Sequence, residues 1–215
     1  MLDEEEARHA IKVLRVQPGD QISITDGKGY LYQARVVSIS KTECKFEITD
    51  TRFLPKNNYQ IHLGVAPTKS MDRMEWMVEK LTELGVDEIS FVNCFHSERD
   101  SIKIERLEKK AVAAIKQSKQ TWLPSILPIQ NFEVALPFHG NKYIAHLSDS
   151  QRQNLNAAPR HAAYKVLIGP EGDFSADEVE MATSHGYQMV TLGNTVLRTE
   201  TAAFAACHAL HFINQ

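Results

Sequence analysis

The sequence predicts an α/β fold in which a small β-rich unit precedes a larger unit built on a mostly parallel sheet. Three observations predict it. From Tyr59 onward, short apolar runs alternate with longer stretches of helical period, as in parallel sheets covered on both faces. Residues 20 to 50 instead alternate apolar and polar positions around turn residues, as in a β-meander. Between the two patterns lies "FLPKNN" (53–58), whose proline and paired asparagines suit a linker, so the expected domains are 1–56 and 57–215.

Each element follows from local pattern. In "EEEARHAIKVLR", Ala7, Ala10, Ile11 and Leu14 recur at helical spacing, and "QPGD" ends the helix. "DQISIT", "YLYQARVVSIS" and "ECKFEIT" are enriched in β-branched and aromatic residues, and "DGKG" supplies a turn that tolerates positive φ. Beyond the linker, strands are expected near "YQIHLGV", "EISFVN", "KYIAHL", "KVLIG" and "QMVTL". In "MDRMEWMVEKLTELG", Met71, Met74, Met77 or Val78, Leu81 and Leu84 share one face, and Gly85 stands where a C-cap belongs. In "IERLEKKAVAAIKQS", Ile104, Leu107, Ala111 and Ile115 form the apolar face, leaving Arg106, Lys109, Lys110 and Lys116 outward.

Composition removes several function classes. A chain of 215 residues buries a core without disulfides or a structural metal. No apolar run approaches the ~20 residues of a membrane helix, and the amino terminus is acidic where a signal peptide would be basic, so a cytoplasmic protein is expected. Cys44, Cys94 and Cys207 share no metal-site or redox spacing and are expected to be reduced and buried. The net charge of −3 gives no global basic excess, although six basic residues against two acids lie between Lys103 and Lys119. None of the usual hydrolase, zinc-protease, redox or dinucleotide motifs occurs, and the nine histidines are scattered; His62, His139, His161, His185 and His211 read as surface or packing residues.

Two stretches carry the chemistry. "LIGPEGDFSADE" (167–178) runs from a buried strand into a helix opened by a capping box of Ser175 and Glu178. Its loop lies at a strand's carboxyl end, where open α/β sheets bind ligands, and Gly169 and Gly172 are expected to admit a ligand to the backbone. Glu171 and Asp173 would repel a polyphosphate; carboxylates suit hydroxyl donors and a positive charge, as in the ribose and sulfonium of S-adenosylmethionine. "MVTLGNTVLRTETAAFAACHAL" has the same construction: a strand, Gly193, a loop with Arg198, then a helix that Thr199, Glu200 and Thr201 are placed to cap. The two loops are expected to form two walls of one pocket. Arg198 either contacts substrate or pairs with Glu200 or Glu171.

"HAIKVLR" with "PGD", "TKSMDRMEWMVEKLTELGV", "SERD" followed by "KQS", "LIGPEGDFSADE" and "LGNTVLRTETA" together resemble the bacterial 16S ribosomal RNA uracil-N3 methyltransferases of the SPOUT class. The resemblance implies a PUA-like β-barrel that helps bind RNA, then an α/β methyltransferase domain with a carboxyl-terminal trefoil knot. Such proteins usually open with a further strand before the first helix, so the barrel here is expected to lack it. The resemblance implies S-adenosylmethionine in the knot, contacted by Gly169, Glu171, Gly172, Leu192, Gly193, Leu197, Arg198, Thr199 and Thr201. It also implies a homodimer acting on 16S ribosomal RNA in the small subunit, with His9, Lys12, Arg15, Lys69, Arg73 and Arg99 as RNA contacts. Methylating N3 of uracil builds negative charge on the ring; Arg198 is the candidate to stabilise it, and Glu171 or Glu200 to accept the proton, Arg198 and Glu171 being the expected catalytic pair. The rivals are a related enzyme acting on another base or a ribose 2′-hydroxyl, and a non-catalytic RNA-binding module.

Overall fold

The computed structural model describes residues 4–40, 42–147 and 153–215. The chain divides into two compact units, Met1–Lys56 and Asn57–Gln215. In the first, α1 (Glu4–Lys12) precedes the antiparallel strands β1 (Gln21–Thr25), β2 (Tyr30–Ile39) and β3 (Cys44–Phe53), which pair in the order β1-β2-β3. Asp26 Oδ1 accepts from the N–H groups of Lys28 (2.8 Å) and Tyr30 (3.2 Å), which closes the first hairpin. Ala7, Ala10, Val16, Val36 and Cys44 form a small core. Leu14 was expected on the buried face of the helix, but it is 62% exposed. The helix ends at Lys12 and the chain reverses through Arg15 at φ 53°, which turns Val13 and Leu14 outward.

Among the described residues the second unit holds seven strands, all parallel, in the order β6-β5-β4-β9-β7-β10-β8. In chain order the elements are β4 (Gln60–Val65), α2 (Met71–Leu84), β5 (Glu88–Asn93), α3 (Ile104–Ser118), β6 (Ser125–Asn131), α4 (Phe132–Ala135), β7 (Asn141–Ala145) and β8 (Gln153–Asn154). A 3₁₀ turn, Leu155–Ala157, then leads to β9 (Ala163–Ile168), α5 (Ala176–Ser184), β10 (Gln188–Thr191) and α6 (Thr199–Ile213). Alternate strand residues enter two cores. Ile61, Leu63, Val65, Ile89, Phe91, Val166 and Ile168 pack with α2, α3 and α6, while Val92, Ile144 and Leu167 pack with Phe132, Ala182 and Tyr187 on the other face. The five expected strands are present, and β6 and β8 are additional. Both stand at the sheet's edges. In β6, "SILPIQN", Pro128 is skipped where the register shifts between Ser90↔Leu127 and Phe91↔Ile129, a position only an edge strand allows. Among the described residues no helix is long and apolar enough to cross a membrane.

Local signals end the helices as expected. Gly85 caps α2 at φ 87°, and at α5 Ser175 Oγ accepts from Glu178 N–H (3.3 Å) while Glu178 Oε2 accepts from Ser175 N–H (2.8 Å). His211, near the end of α6, is buried with its Nδ1 2.7 Å from the Tyr59 hydroxyl. Burial pushes its imidazole below the ordinary 6.5, opposed by Asp87 and reinforced by His208. Between the folded value and 6.5 the unfolded chain binds more protons than the folded one, so stability rises with pH there. The contribution is complete above 6.5 and lost as pH falls through the folded value. The melting-temperature gap between the wild type and His211→Gln, by scanning calorimetry, is therefore expected to narrow from about pH 7.5 to about pH 5. A constant gap would show that His211 binds its proton equally in the folded and unfolded chains.

Candidate functional site

Strands β9, β7 and β10 are neighbours, and their carboxyl ends open onto one cleft. Three strand-end segments wall it: Ala145, His146 and Leu147 after β7, Gly169, Pro170, Glu171 and Asp173 after β9, and Leu192, Gly193, Val196 and Leu197 after β10. Thr199 and Ala202 of α6 complete the lining. Two of these walls match the loops singled out in the sequence. The third escaped notice because "HL" in "KYIAHL" reads as continuing strand, whereas β7 stops at Ala145.

Side chains lock the walls together. Thr199 was expected to cap α6, but its Oγ1 donates to the Gly169 carbonyl at 2.9 Å, which joins the two glycine loops; Arg198 is the N-cap residue and makes no side-chain cap bond. Asp173, expected to repel a polyphosphate, lines the cleft and also serves as a clamp. Its Oδ2 accepts from the Leu147 N–H at 2.9 Å and lies 2.8 Å from His146 Nδ1, and its Oδ1 accepts from the Phe174 N–H at 2.8 Å. The residue sits at φ 60°, so the loop turns left-handed there without a glycine. From below, the His96 Nδ1 lies 3.1 Å from the Asp173 carbonyl, and the Phe95 N–H donates to Glu178 Oε1 at 2.8 Å.

The glycines have reasons of their own. A methyl group on Gly169 would meet the Phe174 ring at 3.0 Å, and one on Gly172 would meet His96 at 3.1 Å, so both positions are small because neighbouring side chains pack there. Gly193 is different: φ is 135° and nothing lies within 4 Å of an added Cβ. Its backbone conformation alone requires glycine.

Of the residues expected to hold a cofactor, Gly169, Glu171, Leu192, Gly193, Leu197 and Thr199 line the cleft; Gly172, Arg198 and Thr201 do not. Among the described residues the lining includes the acids Glu171 and Asp173 and no lysine or arginine. Apolar walls from Ile168, Val190, Leu192, Val196 and Leu197 suit a planar ring, and the exposed Glu171 carboxylate offers acceptors for hydroxyls. The donor set fits a nucleoside bearing a positive centre and disfavours a polyphosphate. Burial pushes the Cys94 and Cys207 thiols well up, with Glu178 adding to the effect at Cys94 and Asp87 at Cys207, which leaves neither as a nucleophile. Among the described residues no group of three or more His, Cys, Asp or Glu is placed to hold a metal ion.

Arg198 is exposed, and among the described residues it pairs with neither Glu171 nor Glu200. Glu200 is instead paired with Arg73 of α2, Nε to Oε1 3.6 Å. Three of the residues expected to touch RNA gather around the start of α2. Arg99 donates to the Lys69 carbonyl and lies 3.9 Å from Met71 Sδ, Lys69 Nζ is 2.7 Å from Glu98 Oε2, and Arg73 is in the helix's first turn. The other three, His9, Lys12 and Arg15, are exposed at the end of α1 in the first unit.

An all-parallel sheet with an acid-lined cleft at its carboxyl edge defines an open α/β domain with its candidate site where such sheets bind ligands. Comparison with known proteins makes the class specific. The RNA methyltransferase domain model matches residues 55–211, and the RNA methyltransferase PUA domain model matches residues 2–49. The chain belongs to this RNA methyltransferase family. A crystal structure of a probable rRNA-methyltransferase from Porphyromonas gingivalis superposes with a TM-score of 0.92 at 37% identity, covering 98% of this chain and 92% of that one. The ribosomal RNA small subunit methyltransferase E from Neisseria gonorrhoeae, solved bound to S-adenosyl methionine, gives 0.87 at 31% identity, covering 99% and 91%. The ribosomal RNA small subunit methyltransferase E of Buchnera aphidicola subsp. Acyrthosiphon pisum is 30% identical over 97% of this chain and 86% of its own length.

Proposed function

We propose that the protein is an S-adenosylmethionine-dependent methyltransferase that methylates N3 of a uridine in 16S ribosomal RNA of the small subunit. The observation that carries the reading is the cleft whose described lining holds the acids Glu171 and Asp173 and no lysine or arginine, on a chain of the RNA methyltransferase family. When bound, the cofactor supplies an electrophilic methyl group. Glu171 accepts hydrogen bonds from ribose hydroxyls, the segment Leu192–Gly193 and Leu197 hold the adenine, and Gly169, Gly172, Thr199 and Thr201 shape the loops around them. Lys69 and Arg99, with His9, Lys12 and Arg15, hold phosphates and so fix register, while the uracil leaves its stack to reach the cleft. Arg198, exposed beside the cleft and outside any ion pair with Glu171 or Glu200, stabilises the negative charge that develops on the uracil carbonyl oxygens.

The same reading takes the enzyme to be a homodimer. Exposed Trp76 (42%) and Phe212 (64%) support it, as does Phe204, whose ring lies 6.1 Å from Trp76 on the packed pair α2 and α6. Sedimentation giving the mass of one chain would rule it out. Three free, buried cysteines support a cytoplasmic location, which cell fractionation would check. The decisive experiment incubates the protein with labelled S-adenosylmethionine and unmodified small subunits, then maps the label by mass spectrometry. N3 of one uridine is the expected position. Label on a ribose 2′-oxygen or another base would replace the acceptor, and absence of both labelling and cofactor binding would favour an RNA-binding module.

A further inference from the structure

We propose that Glu200 accepts the N3 proton of the substrate base and that Arg73 is the residue positioning it; this rests on the uracil-N3 reading above. Glu200 lies in the first turn of α6, with its side chain only 9% exposed. Its Oε2 is buried and has no hydrogen-bond partner among the described residues, while Oε1 faces Arg73 Nε at 3.6 Å. A buried carboxylate oxygen without a donor costs free energy that folding alone does not recover. Its retention points to a donor that arrives with the substrate, and the N3–H of uracil is such a donor.

The position of Glu200 matches that role. Its neighbours Thr199 and Ala202 line the cleft, and its partner Arg73 belongs to the basic group of Lys69 and Arg99 at the start of α2. Glu200 is not itself among the lining residues; it sits in the chain between two that are, and its side chain is paired with the basic group at the start of α2. Asp173 spends its oxygens on Leu147, His146 and Phe174, and Glu171 is exposed on the loop that faces the cleft. In the step, the N3 proton passes to Oε2 of Glu200, and the electron pair left on nitrogen forms the new bond to the methyl carbon. The carbon–sulfur bond of the donor breaks with its pair remaining on sulfur, and Glu200 afterwards releases the proton to water.

The test compares wild type, E200Q, E200D and Arg73→Met on small subunits, with cofactor affinity measured by calorimetry and rates followed against pH. E200Q keeps the shape and removes the basicity. It is expected to lose about 10²- to 10⁴-fold in single-turnover rate. Its cofactor affinity should stay within about threefold, and its residual rate should climb with pH as hydroxide replaces the missing base. E200D should keep the wild-type pH profile at a reduced rate, and Arg73→Met should lower kcat more than it raises KM. An E200Q rate within about fivefold of wild type, or a pH profile parallel to it, overturns the assignment. So does loss of cofactor binding in E200Q, since Glu200 would then be a structural group. A wild-type product other than N3-methyluridine overturns the reaction and this assignment together, whereas a normal product with an active E200Q overturns the assignment alone.

Discussion

Arg198→Ala is expected to lower the methylation rate by about 10²- to 10³-fold while leaving S-adenosylmethionine affinity within about tenfold. The split follows from where the residue stands. Its side chain does not line the cleft, makes no cap bond to α6 and pairs with neither Glu171 nor Glu200, so truncation leaves the cofactor walls and the helix start in place. What is lost is a guanidinium free to meet charge developing on the substrate, and removing one such donor typically costs about 2.7–4 kcal/mol of barrier. Arg198→Lys, which keeps the charge but not the planar fork, should recover part of the rate. Single-turnover rates on small subunits and calorimetric titration with the cofactor measure the two quantities separately. Full turnover in the alanine variant would move the charge-stabilising role to another group, and a parallel collapse of cofactor affinity would make Arg198 a binding residue.

What the sequence disclosed and what it hid divide along local and non-local lines. The stripe from Met71 to Leu84, its Gly85 cap and the Ser175–Glu178 box depend on residues within a few positions of each other, and each stands as expected. The glycine loops were legible as strand-to-helix turns for the same reason. Their neighbour in space was not, because β7 comes between β9 and β10 only through the order of the sheet. Strand β6 was hidden by Pro128, which argues against a strand unless the edge position is known. The partner of Glu200 was beyond local reasoning altogether, since Arg73 arrives from a different helix. Even the glycines that the sequence singled out owe two of their three positions to Phe174 and His96.

Asp173 gives the sharpest way to test whether the cleft is built by that non-local packing. A glutamate or aspartate in a ligand loop reads as a contact, but here both carboxylate oxygens are spent on the Leu147 and Phe174 N–H groups and on His146. Hydrogen bonds to a charged group contribute about 1.5–3 kcal/mol each, and an L-residue in the left-handed region costs about 1–2 kcal/mol that asparagine and glycine largely avoid. Asp173 occupies that region at φ 60°. Asp173→Asn keeps an acceptor and tolerates the backbone, Asp173→Gly tolerates the backbone but loses every side-chain bond, and Asp173→Ala loses both. Melting temperature and cofactor affinity should therefore fall in the order wild type, Asn, Gly, Ala. The alanine variant should bind S-adenosylmethionine about 10- to 100-fold more weakly, equivalent to about 1.4–2.8 kcal/mol. Differential scanning calorimetry and isothermal titration read the two series independently. Equal losses for Gly and Ala would assign the whole effect to the carboxylate and none to the backbone. Wild-type affinity in all three would mean that the β7 end holds its place without the clamp, and the third wall of the cleft would then have to be explained by the packing of Leu147 and Ala145 alone.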